Sequence, residues 1–196
     1  PIFRCMSHGL TEVTAPMPGA LSSRIGRLPR PEILVRRLLF AVLLSWPSML
    51  PAVQPGDAAP VVIAPQEDGE TFDMASLAGR VVYVDFWASW CAPCRKTLPA
   101  FDQLHQRYDE RGFTVLGVNL DRRRAEALRM LSRIPVGFPM VFDPEGEWAR
   151  VYDPPGMPSG YLVDRRGVVR YRHVGYSETD LPDLIKKIEK LLEETS

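Results

Sequence analysis

Cysteine is scarce in this chain, with three thiols in 196 residues. Three cannot staple a disulfide-rich scaffold, and one C-x-x-C pair, Cys91 and Cys94, cannot fill a four-thiolate zinc site. An excess of one charge sign is missing too. The 24 basic side chains cancel 24 acidic ones, so no global field points to a nucleic acid. Histidine occurs three times, and neither His105 nor His173 has another ligand at metal spacing, so both suit packing or surface roles. No apolar run reaches the roughly 20 residues of a spanning helix. What is present is a globular composition, 45% hydrophobic and 24% charged. That size allows one domain plus extensions, at roughly 100–200 residues per domain.

The neutral total hides an asymmetry. Residues 1–37 hold six basic side chains against two acidic ones, whereas residues 38–196 hold 18 against 22. Arg36-Arg37 precede the apolar run Leu38-Leu39-Phe40-Ala41-Val42-Leu43-Leu44, which fades into Pro51-Ala52-Val53-Gln54-Pro55-Gly56. A basic n-region, a short apolar core and small residues near Ala52 predict a secretory signal over 36–53. An uncleaved membrane anchor is the alternative. Pro47 and the missing amphipathic stripe argue against a buried helix there. Residues 1–35 scatter Pro, Gly and Ser without a period and are expected to form an unstructured extension. A start site assigned too far upstream would explain it. Cys5 falls in that stretch, which leaves Cys91 and Cys94 as the thiols of the expected mature protein.

Residues 57–196 read as one α/β domain of alternating strands and helices. Val81 to Trp87 and Phe113 to Asn119 are near-continuous apolar runs, the mark of strands buried on both faces. Between them Leu98, Phe101, Leu104 and Tyr108 recur at helical spacing, and Gly112 closes that helix. A parallel β-helix-β unit follows. Asp121–Ile134 is predicted as a helix with Leu128 and Leu131 on its apolar face, Met140–Phe142 as a short strand and Glu147–Tyr152 as a short helix. Tyr161–Asp164 and Val168–Tyr171 flank Arg165-Arg166-Gly167 as a hairpin. Leu181, Leu184, Ile185, Ile188, Leu191 and Leu192 form the stripe of a terminal helix. A central mixed sheet flanked by helices is the economical architecture.

The C-x-x-C pair opens a helix just after a buried strand. The first sulfur then lies at the helix N-terminus, where unpaired N–H groups and the macrodipole stabilise an anion. Its pKa is expected to fall from about 8.5 into the 3.5–7.5 range of such motifs. The second sulfur, one turn inside, can attack a mixed disulfide and release product. Cys91 is thus the expected nucleophile and Cys94 the resolving thiol, with Pro93 suited to the first turn. The same thiols with Met157 could instead hold Cu(I), which takes thiolate and thioether ligands. Arg122-Arg123-Arg124 reads as a solvated helix start rather than as a site for an acidic partner.

The stretch Val84-Asp85-Phe86-Trp87-Ala88-Ser89-Trp90-Cys91-Ala92-Pro93-Cys94-Arg95-Lys96 closely resembles the thioredoxin active site. Gly156-Met157-Pro158-Ser159-Gly160-Tyr161-Leu162-Val163-Asp164 resembles that family's cis-proline loop. With Gly117–Asp121 and Phe138–Gly146, the likeness narrows to the TlpA/ResA-like thioredoxins, secreted or membrane-tethered bacterial proteins. It implies a thioredoxin fold over roughly 57–192, with an insertion from about Arg122 to Tyr152. It also implies a Cys91–Cys94 disulfide that cycles with the dithiol, and a cis Met157–Pro158 peptide beside Cys91. The backbone before Pro158 would pair with the substrate strand, and Trp90, Pro93 and Met157 would line the substrate site.

Members mostly reduce apocytochrome c or copper-site cysteines. The resemblance therefore implies protein thiol and disulfide partners in the periplasm, a membrane electron donor upstream, no cofactor and a monomer. A disulfide-forming oxidant is the remaining alternative. Two positions depart from the cytochrome-maturation pattern. Thr97 stands where a Glu is typical, and Asp85 supplies a buried acid that those members often lack. Such a carboxylate can move a proton to or from the resolving thiol. The lysine that thioredoxin sets opposite this acid corresponds here to Gly117.

Overall fold

The computed structural model describes residues 52–61, 63–66 and 69–194. The expected extension at 1–35 and nearly all of the expected signal at 36–53 lie outside them. The domain begins slightly earlier than residue 57: Val53 is buried in the core, and the Gly56 N–H donates to the Val169 carbonyl at 2.7 Å. Among the described residues no helix is long and apolar enough to cross a membrane.

Among the described residues seven strands form two sheets. A small hairpin pairs β1 (Ile63–Pro65) with β2 (Thr71–Asp73). The main sheet comprises β3 (Val81–Trp87), β4 (Phe113–Asn119), β5 (Met140–Phe142), β6 (Ser159–Val163) and β7 (Val169–Val174). Its spatial order is β5-β4-β3-β6-β7, with β3, β4 and β5 parallel and β6 and β7 antiparallel. Every residue of β3 and β4 is buried. Two covered faces explain why both strands read as unbroken apolar runs rather than alternating ones.

On one face lie α1 (Cys94–Tyr108), α2 (Arg124–Leu131) and α4 (Leu181–Glu193). They pack on Val81, Tyr83 and Trp87 through Leu98, Phe101, Ala127, Ile188 and Leu191. Full burial of an Ile or Leu side chain contributes about 1.5–3 kcal/mol, so Ile188 and Leu191 anchor α4 firmly. The Tyr108 hydroxyl also ties α1 to α4 by donating to Glu189 at 2.7 Å. On the other face α3 (Glu147–Tyr152) brings Trp148 and Tyr152 onto Val84, Phe86 and Tyr161. After α1 a single 3-10 turn, Asp109–Arg111, leads to Gly112 in the left-handed region (φ +88°), which lets the chain reverse into β4.

One helix is shorter than its sequence pattern suggests. α2 spans Arg124–Leu131 instead of Asp121–Ile134, and Ala127 and Met130 join Leu131 as its buried residues, with Leu128 only partly covered. At its start the reason is Asp121, which is buried with its carboxylate engaged outside any helix.

Candidate active site

Two loops meet at one end of the sheet. β3 and β4 run parallel and end there, and β6, antiparallel to β3, begins there. The loop after β3 carries the cysteines, and the loop before β6 carries Pro158. Cys91 and Cys94 are joined by a disulfide. α1 starts at Cys94, with Pro93 as an N-cap that supplies no side-chain acceptor. The helix start therefore has N–H groups to spare. One of them, the Cys94 backbone N–H, donates to the Cys91 sulfur at 3.3 Å. This bond and the helix dipole favour negative charge on Cys91. Cys91 is 4% exposed and Cys94 fully buried.

The first turn of α1 contains no acidic residue, and Arg95 and Lys96 are exposed there. Cations at a helix N-terminus oppose its dipole by about 0.3–1 kcal/mol each. They also add to the positive potential around Cys91, which favours a thiolate. Trp90, beside the cysteine, is 66% exposed, and Ala92 and Pro93 are exposed as well. Thr97 is buried and satisfies its hydroxyl by donating to the Cys94 carbonyl at 3.0 Å. No second ionisable group enters at that position.

Asp85 lies on β3, six residues before Cys91. Strand alternation puts it on the face of Tyr83 and Trp87, which share a cluster with Cys91 and Cys94. It is fully buried, and neither carboxylate oxygen has a hydrogen-bond partner among the described residues. Burial alone pushes its pKa well above the usual carboxylate range. Both of its cross-strand partners are glycine, Gly117 on β4 and Gly160 on β6. Neither has room for a side chain. A Cβ on Gly117 would lie 2.6 Å from the Met140 sulfur, and one on Gly160 would collide with the Tyr83 hydroxyl. Met140 in turn accepts the Trp87 indole N–H at 2.9 Å. The place of thioredoxin's lysine is thus filled by an apolar thioether. Tyr83 is also held neutral, by burial first and by the nearby Asp85 second.

A clamp that the sequence pattern did not reveal fixes the cysteine loop. The Asp121 carboxylate accepts the Ser89 backbone N–H and the Ser89 hydroxyl, both at 2.9 Å. It also accepts the Asn119 side-chain amide at 2.8 Å, while the Asn119 oxygen accepts the Asp121 N–H at 3.1 Å. A buried carboxylate with three donors needs no cation to be satisfied. The loop leading to Cys91 is thereby tied to the end of β4. Only the pairing of Asn119 and Asp121 at the end of a buried strand, two polar residues where apolar ones are expected, could have signalled it.

The Met157–Pro158 peptide is cis. Pro158 is buried, and its carbonyl accepts the Gly175 N–H at 2.8 Å. The Met157 backbone makes no hydrogen bond to any described residue, and its side chain is partly covered by both core clusters. Its N–H and carbonyl are therefore unpaired among the described residues. His105 faces Phe138 and Thr114, and His173 approaches Asp180 at 3.6 Å. Burial lowers the His105 pKa. Among the described residues no group of three or more His, Cys, Asp or Glu side chains is gathered as a metal-binding set.

Comparison with known proteins agrees with this geometry. The Redoxin family matches residues 54–191. The chain is 26% identical over 134 residues to the thiol-disulfide oxidoreductase ResA of Bacillus thuringiensis, covering 68% of this chain and 78% of that protein. ResA of Oceanobacillus iheyensis is 29% identical over 141 residues, covering 70% and 73%. The crystal structure of a putative thiol:disulfide interchange protein DsbE from Chlorobium tepidum superposes with a TM-score of 0.70 at 39% identity, covering 72% of this chain and 99% of that one. A putative protein disulfide isomerase from Bacteroides thetaiotaomicron gives 0.65 at 29% identity, covering 72% and 92%. With a thioredoxin-like fold and a cysteine pair at the start of its first long helix, the chain belongs to the Redoxin family, as a TlpA/ResA-like thiol-disulfide oxidoreductase.

Proposed function

We propose that this oxidoreductase is a periplasmic reductant of protein disulfides, with Cys91 as the attacking thiol. The observation that carries the reading is the Cys94 N–H aimed at the Cys91 sulfur, which selects one of the two thiols for the anionic form. In the reduced protein the Cys91 thiolate attacks one sulfur of a substrate disulfide, and the other sulfur leaves as a thiolate that takes up a proton. Cys94, deprotonated, then attacks the Cys91 sulfur of the mixed disulfide. The second substrate thiolate departs, and the Cys91–Cys94 disulfide remains. Two electrons and two protons pass to the substrate, and a membrane donor upstream restores the dithiol.

The second step needs a base for the Cys94 proton in a place that water does not reach. Asp85, in its ionised form, is the group we assign to it: a carboxyl whose raised pKa brings it nearer to that of a thiol exchanges protons with it more readily. Pro158 and the free backbone of Met157 would hold the substrate strand, with Trp90 and Pro93 at its rim. The apolar run before Ala52 supports export, and apocytochrome c or copper-site cysteines are the substrate candidates that the family resemblance suggests.

The test is a trap. A Cys94→Ser variant expressed in the periplasm stalls as mixed disulfides through Cys91, visible as adducts that collapse on adding reductant. A Cys91→Ser variant yields none. Adducts of equal abundance from both variants would overturn the assignment.

A further inference from the structure

Beside the cysteine loop, on the side away from Pro158, a cleft of about 340 Å³ is lined by Ser89, Arg95, Glu126, Arg129, Met130, Arg133 and Ile134. It joins the residue after Cys94 to α2 and the turn that follows it. Three guanidinium groups face it against one carboxylate. That carboxylate, Glu126, is already engaged by Arg123 and approached by Arg129 at 3.9 Å. Arg95 and Arg133 have no ion pair or hydrogen bond from their side chains among the described residues. All three arginines are exposed. The surrounding protein has the opposite sign, since residues 38–196 hold 18 basic and 22 acidic side chains. The cationic cleft is a local departure from a mildly acidic body.

Two arginines of the triplet at 122–124 do other things. Arg123 binds Glu126, and Arg124 donates to the Gln66 carbonyl and stacks over Phe142 at 4.6 Å. The cleft on the other side of the cysteines is lined by Ala92, Pro93, Lys96, Tyr176, Ser177 and Glu178, one cation against one anion. Of these two clefts, the one on the α2 side carries a net positive charge. In the sheet order β5-β4-β3-β6-β7, α2 follows β4 while Met157 precedes β6, so the two flank the dithiol that follows β3.

We propose that the cleft of Arg95, Arg129 and Arg133 selects substrates by an acidic polypeptide segment next to the reacting cysteine. The inference rests on the thiol–disulfide exchange at Cys91 argued above and deepens it by naming the substrate class. A substrate strand paired at Met157 presents its sulfur to Cys91 and continues across Ser89 into the cleft. There Asp or Glu side chains meet planar guanidinium groups that bind carboxylates in bidentate fashion. Such a field raises the encounter rate as well as the affinity, and salt screens it beyond about 10 Å at 0.1 M.

The experiment uses the reduced protein and three disulfide-bridged peptides, identical except for three residues flanking one cysteine: acidic, neutral or basic. Second-order oxidation rates of the protein are read at low and high salt. The acidic peptide should react at least about tenfold faster than the basic one at low ionic strength, and the ratio should shrink towards one in about 1 M salt. An Arg129→Glu/Arg133→Glu variant should invert the order. Equal rates for the three peptides, or a preference that survives the double reversal, would overturn the cleft's role while leaving exchange at Cys91 intact. If no peptide oxidises the reduced protein, the reading of Cys91 falls, and the cleft's role with it.

Discussion

Asp85 holds a carboxyl group in a fully buried position with neither oxygen hydrogen-bonded to a described residue. An ion there would lack both water and a partner, so the folded protein keeps the proton where the unfolded chain has already lost it. The sign of the linkage follows. With fewer protons on the unfolded state, stability falls as pH rises above the ordinary Asp value near 4, by at most about 1.4 kcal/mol per pH unit, until the folded pKa is passed. Asp85→Asn removes this slope. Urea unfolding midpoints from pH 4 to 8 should show a variant more stable than the wild type at neutral pH and flatter across the range. A variant that is less stable at pH 7 with an unchanged slope would mean that Asp85 has a charged partner. The substitution should also slow release of mixed disulfides, because Cys94 loses its proton acceptor. A gain in stability with a loss in turnover is the signature of a strained group retained for its chemistry.

At the scale of elements, β3 is placed by its neighbours' missing side chains. Gly160 on β6 leaves room for the Tyr83 hydroxyl, and Gly117 on β4 leaves room for Met140. Gly160→Ala should cost about 1–3 kcal/mol, as overpacking does, measured by urea denaturation. A change below about 0.5 kcal/mol would show that Tyr83 can move aside. These contacts also mark the limit of what was legible in the chain. β3, β4, α1 and α4 could be read because each is long and buries a face or both, so its apolar period is unambiguous. The reactive pair was legible because two cysteines at helix-opening spacing have few other uses. The hairpin of β1 and β2 was not, since three residues each are too few to carry a period. The Ser89–Asp121–Asn119 clamp was hidden because Asp121 reads equally well as a helix start. The arginine cleft was hidden because Arg95 and Arg133 meet only through the fold.

Over the described residues as a whole, chemistry concentrates at one end of the sheet: dithiol, cis-proline loop, exposed Trp90 and cationic cleft, with the buried acid Asp85 on β3. The central claim is that this site gives electrons to substrates and does not take them. A bacterial periplasm is kept oxidising by other catalysts, so an exported thioredoxin fold gains a distinct role by receiving electrons through the membrane. The Ala92-Pro93 dipeptide between the cysteines resembles those of reducing members of the family. Equilibration of the Cys91–Cys94 couple with glutathione buffers, followed by the fluorescence of Trp87 and Trp90, measures the potential directly. The account predicts a value near thioredoxin's, about −270 mV, and a potential above about −150 mV, towards the roughly −120 mV of a DsbA-type oxidant, would contradict it.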